Sequence, residues 1–197
     1  MTMTEDVKTQ RHGRLQRARS INGIHVNSFV QVLYRHGLVM GIVSMILLLL
    51  SAAENPMQHY MIALFSNPQP YLFATVAIMI FCVFYSHFRR MGYFPMQGFW
   101  LSYLLYISIV EELTFRVLLP NILSISLHST AAVVLSNIIF AGFHYYTLRW
   151  RLINCLAVFF AGLGLSRLLN NTEDLALIVL VHWLVTFINT PTWPGGR

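Results

Sequence analysis

Six apolar stretches separated by short polar segments dominate this chain. They cover about Gly37–Ala53, Tyr71–Phe88, Gln97–Leu119, Ser126–Tyr146, Leu152–Leu169 and Leu175–Asn189. Each approaches the roughly 20 residues that an α-helix needs to cross a bilayer core. Breakers stand between them: Glu54-Asn55-Pro56 after the first, Arg89-Arg90 after the second, Pro120-Asn121 after the third and Pro191 after the last. The pattern predicts an all-α fold, a polytopic transmembrane bundle of about six spanning helices over residues 37–190. A basic N-terminal arm over 1–36 precedes it and a tail over 191–197 follows. No internal repeat and no second domain is visible. Gly37-x-x-x-Gly41 fits a motif for close helix approach.

Composition narrows the class further. Of 197 residues, 56% are hydrophobic and only 10% charged, against about 25% charged in a soluble domain. Disorder is excluded as well, since it requires low hydrophobicity and high charge. The formal charge is +6, and the basic residues are nearly all arginine. In a soluble protein that balance would suggest nucleic acid. Here the positive residues sit in the arm and in short loops, so membrane lipids are the expected partner and nucleic acid is not. Arg11, Arg14 and Arg17 recur every third residue, which suits either a basic surface helix or a solvated tail. Arg89-Arg90 and Arg149/Arg151 fall on the arm's side, whereas the loops holding Glu54 and Asn121 to His128 carry no Lys or Arg. The loop after the fifth run has Arg167 but also Glu173 and Asp174, so the alternation is nearly clean and predicts cytoplasmic N- and C-termini. Cys82 and Cys155 show no metal-ligand spacing and read as small buried hydrophobes.

Charge inside the apolar runs is scarce, and that makes the exceptions informative. An ionised carboxylate at a helix centre costs about 2.5–3.5 kcal/mol on insertion scales. Glu111 and Glu112 stand side by side in the third run, with Arg116 four residues after Glu112 on the same face. Glu111 points about 100° away. The expected division pairs Glu112 with Arg116 and turns Glu111 toward a polar cavity. Two later runs each hold an isolated histidine. His144 shares a face with Phe140, and His182 shares one with Thr186 and Asn189. A structural ion-pair cluster is the plain reading of these groups. A catalytic site is the other, because no further buried ionisable residues are available to satisfy them.

Glu111-Glu112-x-x-x-Arg116, then Phe140-x-x-x-His144, then a histidine on a later helix resembles the CPBP (CAAX protease and bacteriocin-processing) intramembrane proteases, the Abi and Rce1-like superfamily. The resemblance covers about residues 97–190. The family's last motif is usually His-x-x-x-Asn or Asp, whereas this chain has His182-x-x-x-Thr186, with Asn189 one turn on. The resemblance implies a glutamic intramembrane endopeptidase, formerly classed as a metalloprotease, acting on a membrane-associated peptide or protein substrate. It implies Glu111 as general base, with His144 as the second ligand of the attacking water. His182 would be the oxyanion donor and Thr186 its helper, while Glu112 and Arg116 shape the site. It implies no cofactor; zinc on two histidines and a glutamate is the competing reading. In small bacterial members the location is the inner membrane.

Other protease chemistries leave no trace. There is no HExxH, no aspartate in any apolar run and no GxSxG-like serine, and Ser136 lies two turns from His144 on one helix. Two alternatives to an enzyme remain: an inactive membrane scaffold or bacteriocin-immunity protein, and a proton-coupled transporter, which the missing inverted repeat disfavours. The predicted boundaries place Glu111 and His144 on the order of 10 Å apart in depth, at 1.5 Å of rise per residue. That offset is too large for a shared water.

Overall fold

The computed structural model describes residue 26 and residues 28–51, 56–89 and 94–191. The arm over 1–25 with Arg11, Arg14 and Arg17, together with Glu54, Arg90 and the tail from 192, lies outside these described residues. Among them the chain forms seven helices and no strand: an all-α bundle.

Helix α1 runs over Phe29–Leu50, starting well before Gly37. The cause is a capping box. Ser28 Oγ accepts from Gln31 N–H at 3.3 Å, and Gln31 Oε1 accepts from Ser28 N–H at 3.4 Å. Within α1, Leu33–Leu38 forms a π turn. Helix α2, Met57–Ser66, occupies a stretch that the apolar pattern leaves as loop. Its Met57, Tyr60 and Met61 recur at helical spacing and pack on Val117, Leu169 and Ile178. Helix α3 spans Gln69–Phe88.

Helix α4 is long and has three parts: Phe94–Glu112, a π turn at Leu113–Leu118, and Leu119–Ser124. It passes the expected stop at Pro120. A proline inside a helix lacks the N–H and crowds the carbonyl four residues back. The preceding π turn widens the helix there. Leu119 N–H reaches back to the Thr114 carbonyl, and the next carbonyl, Phe115, faces a residue with no N–H to give. Ser136 Oγ supplies that donor at 2.7 Å. Ser136 is thus a backbone tie and not a nucleophile. Helices α5, α6 and α7 follow over Ser129–Leu148, Leu152–Thr172 and Leu175–Asn189.

Helices α1, α3, α5 and α6, of 20 to 22 residues, are long and apolar enough to cross a membrane. Helix α7, at 15 residues, is shorter than the roughly 20 that a full crossing needs. Helix α4 is long enough but carries the acidic pair. The expected six spans therefore resolve into four plain ones, one interrupted and one short. Helix α4 is the centre of the bundle, touching α1, α2, α5, α6 and α7.

The chain is inside out relative to a soluble domain. Phe73, Phe84, Leu49 and Phe160 are exposed, while Glu111, Glu112, Arg116, Asn137, His144 and His182 are buried. Apolar residues on the outside and polar ones inside are what a lipid solvent selects.

Candidate active site

The site is assembled on α4 at the junction with its π turn. Glu111 and Glu112 are 2% and 0% exposed. Arg116 Nε lies 3.2 Å from Glu112 Oε2, the pair expected from their spacing. The contact is an ion pair without hydrogen-bond alignment, and Nη1 and Nη2 also have no hydrogen-bond partner among the described residues. The guanidinium instead lies over the Phe140 ring, 4.5 Å from its centroid. Phe140 thus supports the arginine with its face, and its ring meets His144 edge-on at 4.7 Å.

His144 and His182 both reach the acidic pair. His144 Nε2 lies 3.7 Å from Glu111 Oε1, so the expected depth offset is absent. Helix α4 extends far beyond this level on its N-terminal side, whereas α5 ends four residues after His144, at Leu148. The helices are staggered, and aligning their ends created the apparent gap. His182 Nδ1 is 2.6 Å from Glu112 Oε1, and its Nε2 is 3.5 Å from Glu111 Oε2.

Thr186 and Asn189 are not drawn in. Asn189 Nδ2 donates to the Val185 carbonyl on its own helix, and the Thr186 carbonyl takes the N–H and hydroxyl of Thr190. Among the described residues neither side chain shows a hydrogen bond to the cluster. The reason is that His182 turns Nδ1 across the bundle to Glu112, not along α7.

A third histidine does belong to the site. His36, from the π turn of α1, is 3% exposed and places Nε2 at 2.7 Å from Glu111 Oε1. Sequence reasoning left it in the basic arm beside Arg35. The usable signal was the adjacent Gly37-x-x-x-Gly41. A Cβ on Gly37 would stand 2.9 Å from Tyr103, and one on Gly41 would stand 2.5 Å from the Tyr106 hydroxyl. These glycines let α1 come close to α4 and bring His36 to Glu111. Tyr106 Oη donates to the Gly37 carbonyl at 3.1 Å, which fixes the approach. Arg35 donates to the Thr147 and Tyr146 carbonyls at 3.2 and 3.3 Å, holding the C-terminal end of α5 against α1.

The hydrogen bonds assign the ring protons. His144 Nδ1 faces the Phe140 carbonyl at 3.0 Å, so Nδ1 carries the hydrogen and Nε2 is an acceptor in the neutral ring. Thr147 Oγ1 donates to the Phe143 carbonyl at 2.6 Å. Its single hydrogen is spent there, so it accepts from His36 Nδ1–H at 2.7 Å.

His36, Glu111 and His144 bring three ligand atoms within 4.8 Å of one another. Tetrahedral zinc, with bonds near 2.0–2.1 Å, separates its ligand atoms by about 3.3 Å. The 2.7 Å between His36 Nε2 and Glu111 Oε1 is a hydrogen-bond distance and too short for that.

Behind the site, Gly162 of α6 faces Arg116 and Asn137. A Cβ there would collide with Asn137 Oδ1 and stand 3.2 Å from Arg116 Nη2. Gly162→Ala is expected to destabilise the fold by about 1–3 kcal/mol, as overpacking does. Thermal unfolding in detergent, against wild type, measures it; an unchanged midpoint contradicts the tight fit.

Residues 94–188 match the model of the Rce1-like family, described as type II CAAX prenyl endopeptidase Rce1-like. Over that segment, just under half of its length, the chain is similar to the Rce1-like family. No curated protein and no solved structure matches it. The matched segment contains Glu111, Glu112, Arg116, Phe140, His144 and His182, while His36 lies outside it. The Rce1-like family is one of proteases, and the apolar helices mark the chain as an integral membrane protein.

Proposed function

We propose that this Rce1-like chain is an intramembrane endopeptidase that hydrolyses a peptide bond of a membrane-associated peptide or protein with water activated by Glu111. The observation that carries the reading is the pair of acceptors, Glu111 Oε1 and His144 Nε2, 3.7 Å apart with the His144 tautomer fixed by Phe140. Two acceptors so close are satisfied by a water that gives one hydrogen to each. Its lone pairs then face outward, toward a scissile carbonyl.

Glu111 takes one water proton while the oxygen attacks the carbonyl carbon and the C=O electrons move onto oxygen. His182 Nε2, 3.5 Å from Glu111 Oε2, receives that proton and becomes the donor to the oxyanion. Glu112 holds its other nitrogen in place. The proton then passes to the leaving amine as the C–N bond breaks, and the site returns to its starting state. Such donors act strongly in a water-poor site. Thr186 has no part in this scheme, and neither does a metal. The distribution of arginines supports cytoplasmic termini, and the small bacterial chains that the motifs resemble suggest a bacterial inner membrane.

His144→Ala is expected to lower cleavage of a co-expressed membrane-anchored substrate by about 10²–10⁴-fold, the usual size of a lost acid–base partner. Treatment with a chelator is expected to leave wild-type cleavage intact. Unchanged cleavage by the variant overturns the assignment, and loss on chelation with recovery on added zinc overturns the metal-free route. Folded wild-type protein that cleaves no member of a peptide library favours the inactive scaffold, a reading that the idle Thr186 supports.

A further inference from the structure

The site contains more negative charge than its matched segment can balance. Glu111 and Glu112 are buried, and Arg116 is the buried guanidinium beside them. One carboxylate is thereby left over in a low dielectric, where an unpaired charge is expensive. The Rce1-like segment offers His144 and His182 for it, but each commits its Nδ1 hydrogen elsewhere, to Phe140 and to Glu112.

His36 closes this account. Its Nδ1 hydrogen is fixed on Thr147, so its Nε2 faces Glu111 Oε1 at 2.7 Å with nothing else to bond. A bare ring nitrogen and a bare carboxylate oxygen do not rest at that distance, because both are acceptors. One proton must lie between them. Whichever atom holds it, the pair is neutral as a whole and the cluster of two carboxylates and one guanidinium is balanced.

The other groups around His36 do not compete for that role. On α1, Arg35 is directed at the Tyr146 and Thr147 carbonyls. From α5, His144 approaches ring to ring at 5.2 Å. From α4 and α7, Glu112 and His182 are engaged with each other.

We propose that His36 is a positioning residue of this site, contributed by α1 from outside the Rce1-like segment. It holds one proton against Glu111 Oε1 and locks the carboxylate's orientation toward His144 and His182. The inference deepens the protease reading and rests on it for the catalytic consequence, while the shared proton itself does not.

Two measurements test it. The first is cleavage by His36→Phe and His36→Gln. Phenylalanine fills the space without a donor, whereas glutamine keeps an N–H for Glu111. The expected result is a kcat lower by about 10²-fold in the phenylalanine variant, the scale of a misplaced catalytic group, with KM little changed and with substantial recovery in the glutamine variant. Equal rates in the two variants, or a phenylalanine variant as fast as wild type, reduce His36 to packing and overturn the proposal.

The second is nitrogen NMR of histidine-labelled protein in micelles, with the His36 signals assigned by their loss in His36→Gln. Wild type is expected to show Nδ1 protonated and a strongly hydrogen-bonded proton at Nε2, and Glu111→Leu should remove only the latter. An unprotonated Nδ1, or His36 signals that move on chelation, overturn the proposal. This readout needs no cleavage, so failure of the protease reading and failure of the His36 reading are separable.

Discussion

Glu111→Gln is expected to reduce peptide cleavage by about 10²–10⁴-fold while leaving the protein folded. The amide has the shape of the carboxylate and can donate an N–H to His36 Nε2, so the packing around it at 2% exposure is preserved. What it loses is the ability to take a proton from water. Initial rates on one substrate in detergent, with the unfolding midpoint measured alongside, separate the two effects. A full-rate Glu111→Gln enzyme would remove Glu111 as the base. A slow and unfolded one would point to the ion-pair reading of the same residues.

The largest effect on stability is expected at Arg116. Its removal leaves Glu112, fully buried, with a carboxylate oxygen and no cation. Breaking a buried pair from one side costs about 3–5 kcal/mol, because the surviving charge is uncompensated. Arg116→Met keeps most of the side-chain volume against Phe140, so the loss reads charge more than packing. The double variant Glu112→Gln, Arg116→Met should recover much of it, since both charges leave together. Thermal unfolding of the three proteins completes the cycle. A double variant as unstable as Arg116→Met alone would show that the guanidinium's contact with Phe140, and not its charge, holds α4 to α5.

Most of the site was legible because its residues repeat at helical spacing within an otherwise uncharged run. Glu112 and Arg116 are four apart, as are Phe140 and His144, and one helix face carries each pair. His36 was not legible in this way. Its partners are Glu111, 75 residues away, and Thr147, 111 residues away, and no local pattern joins them. It also sits one residue before the glycine where the apolar run begins, so it reads as part of the basic arm. Thr186 failed in the opposite sense. Its one-turn spacing from His182 is real, but the ring turns across the bundle and spacing along α7 is not used. The continuation of α4 through Pro120 was hidden for a third reason: a proline stops an α-helix, and only the π turn and Ser136 make it tolerable there.

The two π turns give the site a dependence on chain length as well as on residue identity. A π turn is an α-helical turn holding one surplus residue. Loss of one residue from Leu33–Leu38 would restore α geometry there and change the direction in which His36 leaves α1, while the parts of the helix on either side keep their relative facing. The same loss from Leu113–Leu118 would remove the widened turn that carries Arg116 and makes Pro120 tolerable in α4. Every residue named here could survive such a deletion unchanged while the constellation came apart. Single-residue insertions and deletions, not exchanges, are therefore the changes to which this arrangement is least tolerant.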